Sequence, residues 1–157
     1  MEPIIRTIVI QRPIEEVFDL ATCLLRCKVW RPGVVAAEKL TPGAVQVGSR
    51  YQHQIKFLGV TFDSNPVVTV WDPPHRMAYE DHSGPVKYEV IYSFEPTAEG
   101  TQLTLNVSSE PGKSYMRFTD GLMRAGLTRQ FDTALHSLKD IMESGTRSEE
   151  RRVGKEC

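Results

Sequence analysis

Hydrophobic side chains in this chain recur at two different periods, and the change between them is sharp. Between Ser49 and Val107 the period is mostly two. Ser49, Tyr51, His53, Ile55 and Phe57 alternate with Arg50, Gln52, Gln54 and Lys56. Val86, Tyr88, Val90, Tyr92 and Phe94 alternate with Lys87, Glu89, Ile91 and Ser93. Successive side chains on a strand point to opposite faces, so this is the signature of strands with one buried face. From Tyr115 to Met142 the spacing shifts to threes and fours, through Phe118, Leu122, Leu127, Phe131, Leu135 and Leu138. That spacing belongs to one long amphipathic helix. A curved antiparallel sheet closed by one helix encloses an interior, and the pattern predicts a container.

The remaining elements fit around these two. Ile4 to Ile10 is β-branched and reads as a first strand. Pro13 opens a short helix with Glu15 and Glu16 in its first turn, where the helix dipole favours acid; Arg12 would be its N-cap, a poor one. A second short helix is expected over Leu24 to Trp30, stopping before Pro32-Gly33. Strands then follow over 34–40, 48–57, 60–71, 76–82, 86–94 and 101–108, with Pro66 marking a bulge or edge in the longest. Gly121 and Gly126 weaken the long helix by up to ~1 kcal/mol each, which marks a bend or a close approach. The expectation is an α+β domain of six or seven antiparallel strands wrapped around a C-terminal helix, with two short helices after the first strand.

The chain has 157 residues, which suits one domain. Its formal charge of −1, with no basic stripe, argues against nucleic acid as a partner. No apolar run reaches the ~20 residues that span a bilayer, and residues 1–10 lack the pattern of a secretory signal. A cytoplasmic protein, monomeric or weakly dimeric, is expected. Cys23 and Cys27 lie four apart on one face, but nothing nearby completes a metal set, so they read as small buried side chains and no metal or cofactor is expected. The stretch 147–157, Arg-Ser-Glu-Glu-Arg-Arg-Val-Gly-Lys-Glu-Cys, resembles throughout its length the conceptual translation of a sequencing-library adapter. It reads as read-through from an environmental or draft DNA assembly, and leaves residues 1–146 as the domain.

Several local motifs point the same way: Pro13-Ile-Glu-Glu-Val-Phe18, Trp30-Arg-Pro-Gly33, Val47-Gly48, Trp71-Asp-Pro-Pro-His-Arg76, Tyr92-Ser-Phe-Glu-Pro96 and Gly100-Thr101. In this order of elements they resemble the START-like helix-grip superfamily, nearest its polyketide cyclase/dehydrase and lipid-transport branch. The resemblance covers Ile4 to Met142. It implies the fold and a cavity for a hydrophobic small molecule, and it is weak for activity, since that branch holds carriers, receptors and cyclases alike.

Candidate functional residues follow from the facing pattern. His53 points inward beside Tyr51, Ile55 and Phe57; it is either a general base or ligand contact, or a core histidine bonded to backbone. Tyr88, Val90 and Tyr92 share the inward face of their strand, and a phenol in a cavity needs a partner for its polar tip. Tyr79 is placed inward near the rim, with Asp81 in solvent at the strand end. Trp30 either gates the mouth or plugs the gap between helix and sheet. Phe118, Leu122, Met123 and Leu127 form the lid. No phosphate-binding glycine loop and no nucleophile elbow is present. Two functions are carried forward: binding of a lipid-like or aromatic small molecule, oriented by His53, Tyr51 and Tyr88, and a cyclase or dehydratase with His53 moving the proton and Tyr88 steadying an enolate. A third possibility is a domain whose cavity is incidental, which a volume far below ~300 Å³ would favour.

Overall fold

The computed structural model describes residues 1–144 and residue 157. The chain runs β1 (Ile4–Ile10), α1 (Ile14–Ala21), a 3-10 turn (Cys27–Val29), β2 (Val34–Lys39), β3 (Tyr51–Phe57), β4 (Val60–Ser64), β5 (Val67–Asp72), β6 (Arg76–Asp81), β7 (Val86–Thr97), β8 (Gly100–Pro111), a second 3-10 turn (Lys113–Tyr115) and α2 (Asp120–Glu143). Strands pair antiparallel in the orders β1-β8-β7-β6-β5 and β2-β3-β4. Tyr51 N donates to Pro66 O and Val68 N to Ser49 O, which stitches the start of β3 to β5 and curves the two sheets around one interior. This is the expected helix-grip architecture.

Eight strands form where six or seven were expected. The run 60–71 divides at Asn65-Pro66, because proline has no N–H to continue the ladder. The second short helix shrinks to the turn Cys27–Val29. Its would-be helical carbonyl, that of Leu24, accepts instead from His53 Nε2 at 2.9 Å and from the Cys27 thiol at 3.2 Å. Pro13, not Arg12, is the N-cap of α1, with no side-chain hydrogen bond, and Arg12 pairs with Glu16 at 3.1 Å.

The helix α2 lies along β1 and is held there by polar anchors. Arg6 makes a bidentate pair with Asp132 at 2.6 and 2.7 Å, and Lys139 Nζ donates to Val9 O at 2.7 Å. Its N-cap is Thr119, whose hydroxyl accepts from Leu122 N at 3.1 Å. Gly126 is the close approach: a Cβ there would lie 3.2 Å from both the Phe57 ring and Leu58 Cδ2. Gly121 is not a close approach: a Cβ there would meet only Thr119 Oγ1, at 4.0 Å. At the β7–β8 turn, Gly100 has φ +146, and a Cβ would lie 2.2 Å from Ile10 O, so glycine is needed for both reasons.

The main core gathers Phe18, Trp30, Tyr51, Tyr92, Phe94, Leu103, Leu105, Leu135 and Leu138, with Phe18 against Phe94 and Trp71 at ring distances of 5.1 and 5.2 Å. Cys23, expected as a small buried side chain, is buried and joined to Cys157 by a disulfide, and the Tyr51 hydroxyl donates to Cys157 O. Treating the terminal stretch as foreign sets Cys157 aside, and with it this pairing; residues 147–156 lie outside the described residues. Cys27 is a free, buried thiol whose pKa burial pushes up to about 11. Among the described residues no helix is long and apolar enough to cross a membrane, and no cluster of potential metal ligands forms.

Candidate functional site

Between the sheet and the N-terminal half of α2 lies a cavity of about 70 Å³. Ile55 and Phe57 reach it from β3, Phe62 from β4, Val86, Tyr88 and Val90 from β7, and Val107 and Ser109 from β8. Tyr115, Met123, Leu127, Gln130 and Phe131 close it from the helix side, and Arg31 enters from the segment before β2. The period-two pattern places the strand residues here, because alternate positions on neighbouring antiparallel strands share one face. Met123 and Leu127 lie four apart on α2 and so project together. A broader groove, about 1030 Å³, runs in the open along the outer side of α2 from Gly121 to Ile141 and encloses nothing.

The candidate residues separate into three groups. Ile55, Phe57, Tyr88, Val90, Met123 and Leu127 border the cavity. Trp30, Tyr51, Tyr79 and Tyr92 are buried in the core behind it. Trp30, fully enclosed and edge-on to Tyr92 at 6.5 Å, plugs the interior and does not gate a mouth. Phe118 packs against the Tyr115 ring at 6.1 Å on the rim, and Leu122, expected in the lid, is 48% exposed. Helix position alone put Leu122 inward; on the first turn of α2 it is Met123 that is buried, and Leu122 faces solvent.

His53 is buried but stands outside the cavity lining. A carbonyl can only accept, so the 2.9 Å contact to Leu24 O requires the proton on Nε2. Burial, then the nearby Arg31 charge, push its pKa down to about 4 against the opposing effect of the Leu24 bond. His53 is therefore a neutral fastener between β3 and residues 24–27, and the general-base role loses its geometry.

Tyr88 has a polar partner of defined direction. Asp81, expected in solvent, is 3% exposed and accepts from Ser64 Oγ, Asn65 N, Ser83 N and Ser83 Oγ at 2.7–2.9 Å. Burial raises the carboxyl's pKa, but these four bonds outweigh it and the pKa falls below the ordinary value. Ser64 has one proton, and a carboxylate takes it. The 2.5 Å contact between Ser64 and Tyr88 is then a bond donated by Tyr88. Its phenol proton is committed to Ser64, and burial pushes its pKa up. Tyr88 thus offers the cavity an acceptor, whereas steadying an enolate needs a donor.

The residue that the sequence reading passed over is Arg31. Its Nη1 donates to Tyr79 OH at 2.5 Å, and its guanidinium lies 5.5 Å from the centre of the Phe131 ring. Tyr79 OH in turn lies 3.4 Å from Tyr92 OH. The motif Trp30-Arg-Pro-Gly33 carried the residue, but in an irregular segment no periodicity says which way it points.

A curved antiparallel sheet closed by one long helix over a small apolar cavity is a helix-grip fold. The chain matches the family described as polyketide cyclase / dehydrase and lipid transport over residues 3–143, and it belongs to that family. No curated protein matches it. Among solved structures it is similar to a START superfamily protein from Mycobacterium smegmatis (13% identity, TM-score 0.78, covering 93% of this chain and 100% of that one). It is similar also to the protein TTHA0849 from Thermus thermophilus (19%, 0.77, 92% and 99%). A third is the di-domain aromatase/cyclase BexL from the BE-7585A biosynthetic pathway (15%, 0.72), where 92% of this chain matches 50% of that one. At these identities the likeness is one of fold.

Proposed function

We propose that this protein binds a small apolar or aromatic molecule in the cavity between its sheet and α2. The supporting observation is the lining itself: a small, partly open hollow walled mainly by Phe57, Phe62, Val90, Met123 and Leu127, with few polar groups to orient an occupant. At about 70 Å³ it is far below the ~300 Å³ of a ready-made drug-sized site, which on volume alone favours an incidental cavity. It is about half of a ~150 Å³ engineered void that takes benzene. At that volume a single ring or short chain enters only as the side chains around the cavity yield, and a lipid-length molecule requires the rim at Phe118 and Leu122 to part. Binding is favoured over cyclase chemistry because neither His53 nor Tyr88 holds a proton toward the cavity.

The test is titration of the ¹⁵N-labelled protein with phenylacetate, phenylacetamide, hexanoate and hexanamide, in parallel with native mass spectrometry of freshly purified material. The expected result is saturable shifts at cavity residues with at least one probe, lost in Leu127→Trp, which fills the void. Absence of binding by all four, together with an empty purified protein, would overturn the reading in favour of an incidental cavity.

A further inference from the structure

Every polar wall group of this cavity is neutral except one. The Arg31 guanidinium is a permanent cation with five N–H donors. Its partners are the Tyr79 hydroxyl and the Phe131 face, neither of them a carboxylate. The groups around it, Tyr88, Tyr92, Cys27 and His53, are uncharged near neutral pH, since burial raises the first three and lowers the last. Among the described residues no carboxylate lies within 4.0 Å of it. Asp81, the buried acid nearby in the sheet, has its oxygens taken by Ser64, Asn65 and Ser83.

Arg31 is half-buried, and a cation drawn even partly out of water without a counter-ion is costly. A fold that only needed to fill this space could do so with a neutral side chain. An arginine in the wall of a cavity, with donors unused and no acid beside it, is arranged for an anion that arrives from outside, and its planar fork suits a carboxylate.

We propose that the ligand of this cavity carries a carboxylate or comparable organic anion on a small apolar body, and that Arg31 receives the charge; this rests on the binding reading above. The body lies among Phe57, Val90, Met123 and Leu127. The Tyr88 oxygen, an acceptor, is placed to take a hydroxyl or amide proton from the same molecule.

The acid and amide pairs, phenylacetate with phenylacetamide and hexanoate with hexanamide, differ in charge at nearly constant shape. The expected result is that the acid of one or both pairs binds at least tenfold tighter than its amide. Arg31→Gln should shrink the acid-over-amide preference to within about threefold, while Arg31→Lys retains part of it. The aromatic and aliphatic pairs separate the two kinds of body. Equal affinity of acid and amide in the unaltered protein overturns the anion proposal and leaves the binding reading standing; no binding by any probe overturns both. The unaltered protein decides the matter even where Arg31→Gln fails to fold.

Discussion

The helix α2 covers two unlike regions. Its C-terminal half presses Ala134, Leu135, Leu138 and Met142 into a closed core beside β1. Its N-terminal half buries only Met123 and Phe131, both in the cavity wall, and carries Gly121 and Gly126. One half is packed with large side chains, and the other is propped at a distance by Tyr115 and Phe57, whose rings sit 5.5 Å apart. Stability belongs mainly to the first region. Space for a ligand belongs to the second, where loose packing costs little because the walls are already incomplete.

The contrast can be broken most directly by truncating each region. Leu138→Ala, fully enclosed in the closed core, is expected to cost roughly 3–5 kcal/mol, while Met123→Ala, already beside a void, should fall at the low end, about 2 kcal/mol. Urea unfolding of both variants decides it, and equal losses would mean that the two halves are packed alike.

Next in size is the pH response of His53. Its pKa is about 4 when folded, against an ordinary value of 6.5. The unfolded chain therefore binds a proton more readily between those values. The stability is fully present above about pH 6.5 and is lost as pH falls toward 4. The loss is on the order of 3 kcal/mol at one pKa unit per 1.36 kcal/mol. Denaturant melts at pH 7 and pH 4.5 should show His53→Gln losing distinctly less than the unaltered protein over that interval; parallel losses in the two would sink the argument.

Smaller again is the cap that starts α2 over the cavity. Thr119→Ala removes the bond to Leu122 N and should cost about 1 kcal/mol. Amide exchange sharpens the point: protection should fall in residues 120–126 and hold near Leu135.

The smallest effect is expected at the terminus. A chain ended at residue 146 lacks the Cys23–Cys157 link. If 147–157 is foreign to the domain, as its adapter-like sequence implies, near-UV circular dichroism and cooperative unfolding should be retained. A truncated chain that does not fold would mean that the link, worth about 5 kcal/mol for a loop this long by chain entropy alone, is part of the design.

The strands of the sheet were legible because alternation over Tyr51 to Phe57 and Val86 to Phe94 reports facing directly, and facing is what places Ile55, Tyr88 and Val90 toward the helix. Leu122 was misplaced because a period of 3.6 gives a stripe without saying which of the neighbours Leu122 and Met123 it buries. Asp81 reads as solvated because a sequence does not show four donors converging from Ser64, Asn65 and Ser83. Arg31 goes unseen for a related reason: its direction is set by the Pro32-Gly33 turn and by Tyr79 on a distant strand.

By itself the sequence determined the class of fold, the faces of the strands and the long helix, because these follow from local periodicity and from turn residues such as Pro66 and Gly100. Only the tertiary structure decided which inward residues meet a void and which meet each other. It turned His53 into a fastener, gave Tyr88 a committed proton and left Arg31 without an acid. Those outcomes depend on partners far apart in the chain, and burial assigns a charge or a proton its consequences only when all the partners are in place.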